Sequence, residues 1–288
     1  MTLVGHVKEL WRYPVKSMQG TLLTDCWLTE RGVAGDRCWA MRDENRQEVQ
    51  WGKKYPQLML CSARYRREPE SGDVAPVEIT FPDGTTLDSD DPSLPAKLST
   101  LCGTPATLWP LQPASNREFY KRYKPDPAQW AREISEAFAR EPGEPEPDFA
   151  QFPEVLVDYV AVPGTFFDNE ALHIITTASL AAMRAKNPAA RWDIRRFRPN
   201  LFIETVPGVD GLVEQNWLRR RLVIGEAELE IAAPTPRCGM TTRPQADLPF
   251  DKTVLRTIVR EGAQNLGVGA HLKVPGRVRS GDAVMLTD

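Results

Sequence analysis

The 288-residue chain has no two cysteines in C-x-x-C spacing, and its five cysteines are an odd number. That argues against a zinc knuckle or a complete disulfide framework and for a reducing compartment, with the cytoplasm the simplest location. Histidine is scarce too: His6, His173 and His271 are scattered, and none stands at metal-ligand spacing from another. No apolar run approaches the roughly 18 residues needed to cross a membrane. Residues 1–10 lack the basic start, apolar run and small-residue cleavage site of a signal peptide. An excess of positive charge is also missing. A net charge of −3 leaves no general nucleic-acid surface, so basic residues act only where they converge locally, as a small anionic ligand requires.

What is present reads as roughly two domains' worth of ordinary globular sequence, 41% hydrophobic and 26% charged. The N-terminal third consists of short β-rich runs punctuated by turns: 3–11, 21–29, 37–42, then 77–81 and 85–87 around the hairpin signal Pro82-Asp-Gly84. A short helix at 94–100 and a strand at 106–111 follow. This pattern suggests a barrel or strongly bent sheet. Residues 113–154 change character: Pro, Glu and Arg dominate, and Glu141-Pro-Gly-Glu-Pro-Glu-Pro147 reads as an exposed linker or loop around a helix at 127–140. Its charges read as a solvated face without chemistry. From 155 onward, strands are expected at 171–176, 201–205, 221–224, 227–232, 266–274 and 283–287, with helices at 178–186 and 252–261. The last two strands are expected to be joined through turns at Pro275-Gly276 and Ser280-Gly281-Asp282. The fold class is α+β, β-dominant and built on barrels.

Four separated clusters combine turn-formers with cations. They are Tyr13-Pro-Val-Lys16-Ser17, Gly32-Val-Ala-Gly35-Asp36-Arg37, Arg195-Arg196-Phe197-Arg198-Pro199-Asn200 and Pro234-Thr-Pro-Arg237-Cys238. Glycine permits close backbone approach, while Lys, Arg, Ser and Asn supply donors for phosphate and for amide-like ring edges. Cys238, alone in a proline-rich turn beside Arg237, suits a single soft thiolate ligand or an activated nucleophile, against the alternative of a buried structural thiol. Cys26, Cys38, Cys61 and Cys102 read as core thiols, His173 as a structural residue of a strand, and Trp11, Trp39 and Trp51 as core packing before pocket walls.

Together these residues resemble the MOSC family, the molybdenum cofactor sulfurase C-terminal-like proteins with an N-terminal β-barrel domain. Tyr13-Pro-Val-Lys-Ser17 and Gly32-Val-Ala-Gly-Asp-Arg37 match the N-terminal domain. Phe197-Arg-Pro-Asn200, Arg237-Cys238 and Gly276-Arg-Val-Arg-Ser-Gly-Asp282 match the MOSC domain, and Asp247-Leu-Pro249 and Leu266-Gly-Val-Gly269 fit its later segments. The resemblance implies an N-terminal β-barrel-like domain at 1–112, a linker or insertion at 113–154, and a MOSC β-barrel domain with peripheral helices at 155–288.

It also implies a molybdenum–molybdopterin cofactor (Moco) with Cys238 as the metal ligand. Lys16, Ser17 and Arg37 match positions at the phosphate end of the cofactor, while Arg198 and Asn200 match positions near the pterin. Arg237 is a further cofactor-binding residue and Asp168 an active-site carboxylate that relays a proton. Asn169 and Glu170 depart from the small hydroxyl residues of some relatives, and Pro236 stands where a hydroxyl is expected. Similar members reduce N-hydroxylated compounds such as hydroxylamines, amidoximes and N-hydroxylated bases. No ferredoxin-like cysteine cluster is present, so a separate flavin or iron–sulfur protein is the implied electron donor. A cofactor or sulfur carrier without turnover is the alternative, and neither nucleic acid nor membrane is an expected partner.

Overall fold

The alternation of the first strand, Thr2–Arg12, shows how the fold closes. Gly5 and Val7 face inward, then a bulge between Val7 and Glu9 shifts the phase so that Leu10 returns to the core. One extra residue is what a β-bulge adds, and it re-aims every side chain beyond it. This strand pairs on one side with Ala283–Thr287 and on the other with Leu201–Thr205. The circuit continues through Leu172–Thr176, Asn265–Val274, Ala227–Pro236 and Arg221–Ile224 back to Ala283–Thr287, a closed seven-stranded barrel. Val7, Leu10, Ile174, Leu201, Ile203, Leu222, Leu229 and Val268 are buried together in its core. The chain starts inside a barrel whose other strands lie beyond residue 170.

The structure is a computed structural model that describes residues 1–69, 74–149, 152–168 and 170–287. Leu172–Thr176 and Leu201–Thr205 run parallel, and the helix Thr177–Lys186 lies in the crossover a parallel pair requires. Thr176 caps that helix by accepting from the Ser179 amide. A second core forms around Val15, Met18, Met41, Leu58, Ile79 and Leu98. It is enclosed by two small sheets, Trp39–Asp43 with Ala106–Pro110 and Glu48–Val49, and Ser62–Tyr65 with Val77–Thr80 and Thr86–Asp88. Short bridges at Val15–Trp39 and Gln19–Ser62 tie the Tyr13–Gln19 segment to both sheets.

Three segments depart from the sequence reading. Gly276–Arg279, expected within a turn, is a strand paired with Asp25–Thr29, and Arg277 meets Asp25 at 2.8 Å. Glycine is needed at 276 because a Cβ there would lie 2.5 Å from the Glu226 backbone, so this motif joins the two halves of the molecule. The strand expected at 227–232 runs on to Pro236, with register shifts that accommodate Pro234 and Pro236. The third is the segment after residue 113. Residues 141–143, 145 and 146 are exposed as expected, but the segment with its helix Pro127–Phe138, capped by Asp126, is tied down onto the C-terminal half. Arg256 reaches back to Glu144 and to the Ala139 carbonyl, and Arg140 donates to the Arg237 carbonyl at 3.2 Å and to Gln264 at 3.0 Å.

Candidate cofactor cleft

Between the two cores lies a cleft of about 150 Å³. Lys16, Ser17, Arg37, Asp168, Arg198, Arg237 and Cys238 all line it, although more than 200 positions separate the first from the last. Asn200 does not. It is buried behind the wall, where its amide nitrogen donates to Asp36 at 3.1 Å and to the Trp11 carbonyl at 3.3 Å, and its oxygen accepts from the His173 amide at 3.2 Å. Asn200 therefore positions the lining and does not form it. Asn169, named in the sequence reading, lies outside the described residues.

Local backbone explains how the donors are aimed. Ser17, Arg37 and Arg198 have φ of 68°, 50° and 54°, the left-handed region that costs a non-glycine residue roughly 1–2 kcal/mol. Such strain persists only where surrounding contacts hold it, and it gathers at functional sites. Here the contacts are visible. The Ser17 hydroxyl accepts from the Gly52 amide at 2.7 Å. The Arg37 guanidinium pairs with buried Asp36 and lies 5.1 Å from the Tyr13 ring centroid. Arg198 donates to the Met18 carbonyl at 2.5 Å and lies 4.2 Å over the same ring.

The cleft is cationic, and Lys16, Arg198 and Arg237 are buried in its wall. Burial, reinforced by Arg37 alongside, pulls the Arg198 guanidinium down to about 10. Burial likewise pulls Arg237 down to about 10, although the neighbouring Cys238 favours its charge. Arg237 donates to the Phe197 carbonyl at 2.8 Å, yet its buried Nε has no partner. Lys16 donates to the Phe166 carbonyl at 2.7 Å and to Asp168 at 2.5 Å. Burial lowers the Lys16 ammonium below its ordinary value, against the pull of Asp168. Asp168 is 44% exposed at its side chain. Burial opposes its charge, but Lys16, Lys53 and Arg37 hold the carboxyl well below the usual carboxylate range. A carboxylate held this low neither donates a proton nor takes one up readily near neutrality, so in this arrangement Asp168 anchors Lys16 and the expected relay role would need that pairing released.

Several lining residues escaped the sequence reading. His173, read as structural, faces the cleft with Nε2 3.3 Å from Arg237 Nη1. Phe138 and Phe152 reach the cleft from the segment assigned no chemistry. Lys53 sits in Trp51-Gly-Lys-Lys54, a turn-plus-cation cluster of the same kind as the four singled out. Glu170 also lines the cleft, but it is held by His271 at 2.5 Å.

His173 gives a pH signature. Burial first, then Arg237 and Arg37, lower it well below 6.5. The unfolded chain thus binds a proton that the folded chain refuses, so stability falls as pH drops below the unfolded value. Denaturant unfolding between pH 6.5 and 5.0 is expected to show a loss approaching about 1.4 kcal/mol per pH unit from this residue. His173→Gln removes that component; an unchanged slope in the variant contradicts it.

The family model of the MOSC N-terminal beta barrel domain matches residues 4–101, and that of the MOSC domain matches residues 163–285. The chain belongs to the MOSC proteins. Among curated relatives it is similar to "Mitochondrial amidoxime reducing component 2" of Bos taurus, 28% identical over 83% of this chain and 66% of the relative. The Homo sapiens protein of the same name is 26% identical over 83% of this chain and 67% of the relative. "Molybdenum cofactor sulfurase" of Anopheles gambiae is 31% identical over 38% of this chain and 15% of its own length. The chain thus spans about two thirds of the amidoxime reducing components it matches. In this MOSC protein the Thr2–Arg12 strand, within the N-terminal match, pairs with Leu201–Thr205 and Ala283–Thr287 of the C-terminal half, which brings Lys16 and Arg37 close to Cys238.

The donor set fits a molybdenum–pterin group. Among the described residues no three His, Cys, Asp or Glu side chains could together hold a metal ion, so a metal at Cys238 must bring most of its own ligands, and a soft thiolate suits one already bound by sulfur. The orphaned Arg237 Nε and the cation excess suit a polyanion. The cleft alone is below the 300–1,000 Å³ usual for small-molecule sites, and it adjoins a cavity of about 420 Å³ with which it shares Lys16 and Lys53.

Proposed function

We propose that this MOSC protein uses a molybdenum–pterin cofactor held in the cleft to reduce N-hydroxylated compounds. The observation that carries this reading is the convergence of Cys238 with Lys16, Arg37, Arg198 and Arg237 on one cationic cleft. The names of the amidoxime-reducing relatives supply the substrate class. When bound, the cofactor supplies the two-electron chemistry, with the balance R–NH–OH + 2 e⁻ + 2 H⁺ → R–NH₂ + H₂O.

The chain's residues do the rest. Cys238 offers its sulfur to the metal. Lys16, Ser17 and Arg37 take the phosphate end, where charge-assisted hydrogen bonds are strongest, and Arg198 and Arg237 face the pterin. Asp168 competes with the phosphate for Lys16 and, once displaced, is free to accept a proton. Asn200 and Asp36 keep the donors aimed. Phe138 and Phe152 exclude water from one side, which strengthens each ionic contact. Electrons come from a separate flavin or iron–sulfur protein. All five cysteines are free, as a reducing compartment such as the cytoplasm favours, and among the described residues no helix is long and apolar enough to cross a membrane.

The test is benzamidoxime reduction with an artificial electron donor, using protein from a host that makes the cofactor. Benzamidine formation by the wild type, reduced at least about 100-fold in Cys238→Ala, is the expected result. Stoichiometric cofactor without turnover would instead indicate a carrier.

A further inference from the structure

We infer that a second cavity beside the cleft is a subsite for an anionic group on the substrate, with Lys53 and Arg243 as its binding residues. It deepens, and rests on, the reductase reading. This cavity of about 420 Å³ shares Lys16 and Lys53 with the Cys238 cleft. Ala137 forms part of its wall and packs against Gly239, where an added Cβ would lie 3.2 Å from the Ala137 carbonyl oxygen. One wall residue of this cavity therefore touches the residue that follows Cys238.

Its charges are unbalanced in a specific way. Arg46 is neutralised by Glu48 at 2.8 Å, Arg122 by Glu133 at 3.1 Å and Lys16 by Asp168 at 2.5 Å. Lys53, Lys54 and Arg243 make no ion pair at contact distance among the described residues, although Lys53 feels the more distant Asp168, and the lining holds one unpaired carboxylate, Glu136. Crowding is felt at the rim, where burial and then Arg46 push the Lys54 ammonium below its ordinary value.

Both proposed ligands are held in place without being satisfied. Lys53 Nζ lies 4.6 Å over the Trp51 ring and 5.5 Å from that of Phe138, on the wall common to both cavities. Arg243 ends the 3₁₀ turn Gly239–Thr242 that Cys238 begins. Its amide donates to the Met240 carbonyl at 3.1 Å, and its own carbonyl accepts from Arg196. Its main chain is thus fixed relative to Cys238 while the guanidinium has no protein acceptor among the described residues. A substrate whose N–O group reaches the metal that Cys238 would hold can extend into this cavity and place a carboxylate or phosphate against Lys53 and Arg243, with Trp51 backing Lys53. The larger cavity of about 820 Å³ on the far side of Arg37 and Phe167 is lined mostly by apolar residues, and its one cation without a carboxylate partner among the described residues, Arg31, is exposed and has no second cation beside it like the Lys53–Arg243 pair.

The test compares matched pairs by titration calorimetry on molybdenum-loaded protein: benzamidoxime with 4-carboxybenzamidoxime, and N4-hydroxycytidine with its 5′-monophosphate. The anionic member of at least one pair is expected to bind about tenfold or more tightly, and which pair responds tells carboxylate from phosphate. That ratio should fall toward one in Arg243→Met and in Lys53→Met, and should shrink in the wild type as salt is raised. Equal affinity within both pairs, no binding of any compound, or a preference that survives both substitutions overturns the subsite. If a variant fails to fold, the wild-type ratios and their salt dependence still decide. Anion preference without any turnover would sink the reductase reading and leave the subsite standing.

Discussion

Asp36→Ala is expected to destabilise the protein by about 3–5 kcal/mol, the range for breaking a buried ion pair from one side. The Asp36 side chain is completely buried and pairs with Arg37. One oxygen accepts from the Tyr13 amide at 2.6 Å, and the other accepts from Asn200 Nδ2 at 3.1 Å. Removing it leaves a largely buried guanidinium, a backbone N–H and a side-chain amide without their acceptor, each a desolvation penalty with no compensation. The same three groups aim the cleft: Tyr13 lies beneath Arg37 and Arg198, and Asn200 holds the His173 amide. Asp36→Asn keeps an acceptor for Tyr13 but not the charge, so an intermediate loss is expected. Urea unfolding measures both, and a loss below about 1 kcal/mol for the alanine variant would show that Asp36 does not organise this wall.

Most elements were legible because their patterning is local. Leu222 and Ile224 alternate with exposed or half-buried neighbours. Helix Lys252–Glu261 buries Val254, Leu255, Ile258 and Val259, the spacing visible in its sequence. What escaped reading depends on partners far away in the chain. Gly276–Arg279 looks like a turn because glycine stands at 276, yet that glycine is required by contact with Glu226. The charge-rich segment after 113 gave no sign that Phe138 and Phe152 would line the Cys238 cleft, since that placement depends on Arg140 and Arg256 holding the segment down. His173 sits in a fully buried strand, where no alternation marks the inward face. The cleft was legible in part: Lys16, Arg37, Arg198 and Cys238, marked in the sequence by the composition of their turns and strand ends, line it together, whereas Asn200 lies behind its wall.

The second large effect concerns cofactor retention. Lys16 and Arg198 are buried cations, and burial lowers both from their ordinary values. A polyanion recovers that desolvation penalty by pairing with them, and hydrogen bonds to charged groups contribute about 1.5–3 kcal/mol each. Lys16→Met combined with Arg198→Met is therefore expected to weaken cofactor binding by roughly 10³-fold. Cys238→Ala removes the sulfur and leaves the charge intact, so it separates loss of metal from loss of pterin. The decisive measurement is molybdenum and pterin per chain in wild type, Cys238→Ala and the double variant, all purified from a host that makes the cofactor. Near-stoichiometric metal in the wild type is expected, with metal lost from Cys238→Ala and both metal and pterin lost from the double variant. Wild-type protein without molybdenum, or Cys238→Ala that keeps it fully, would contradict the assignment of this cleft.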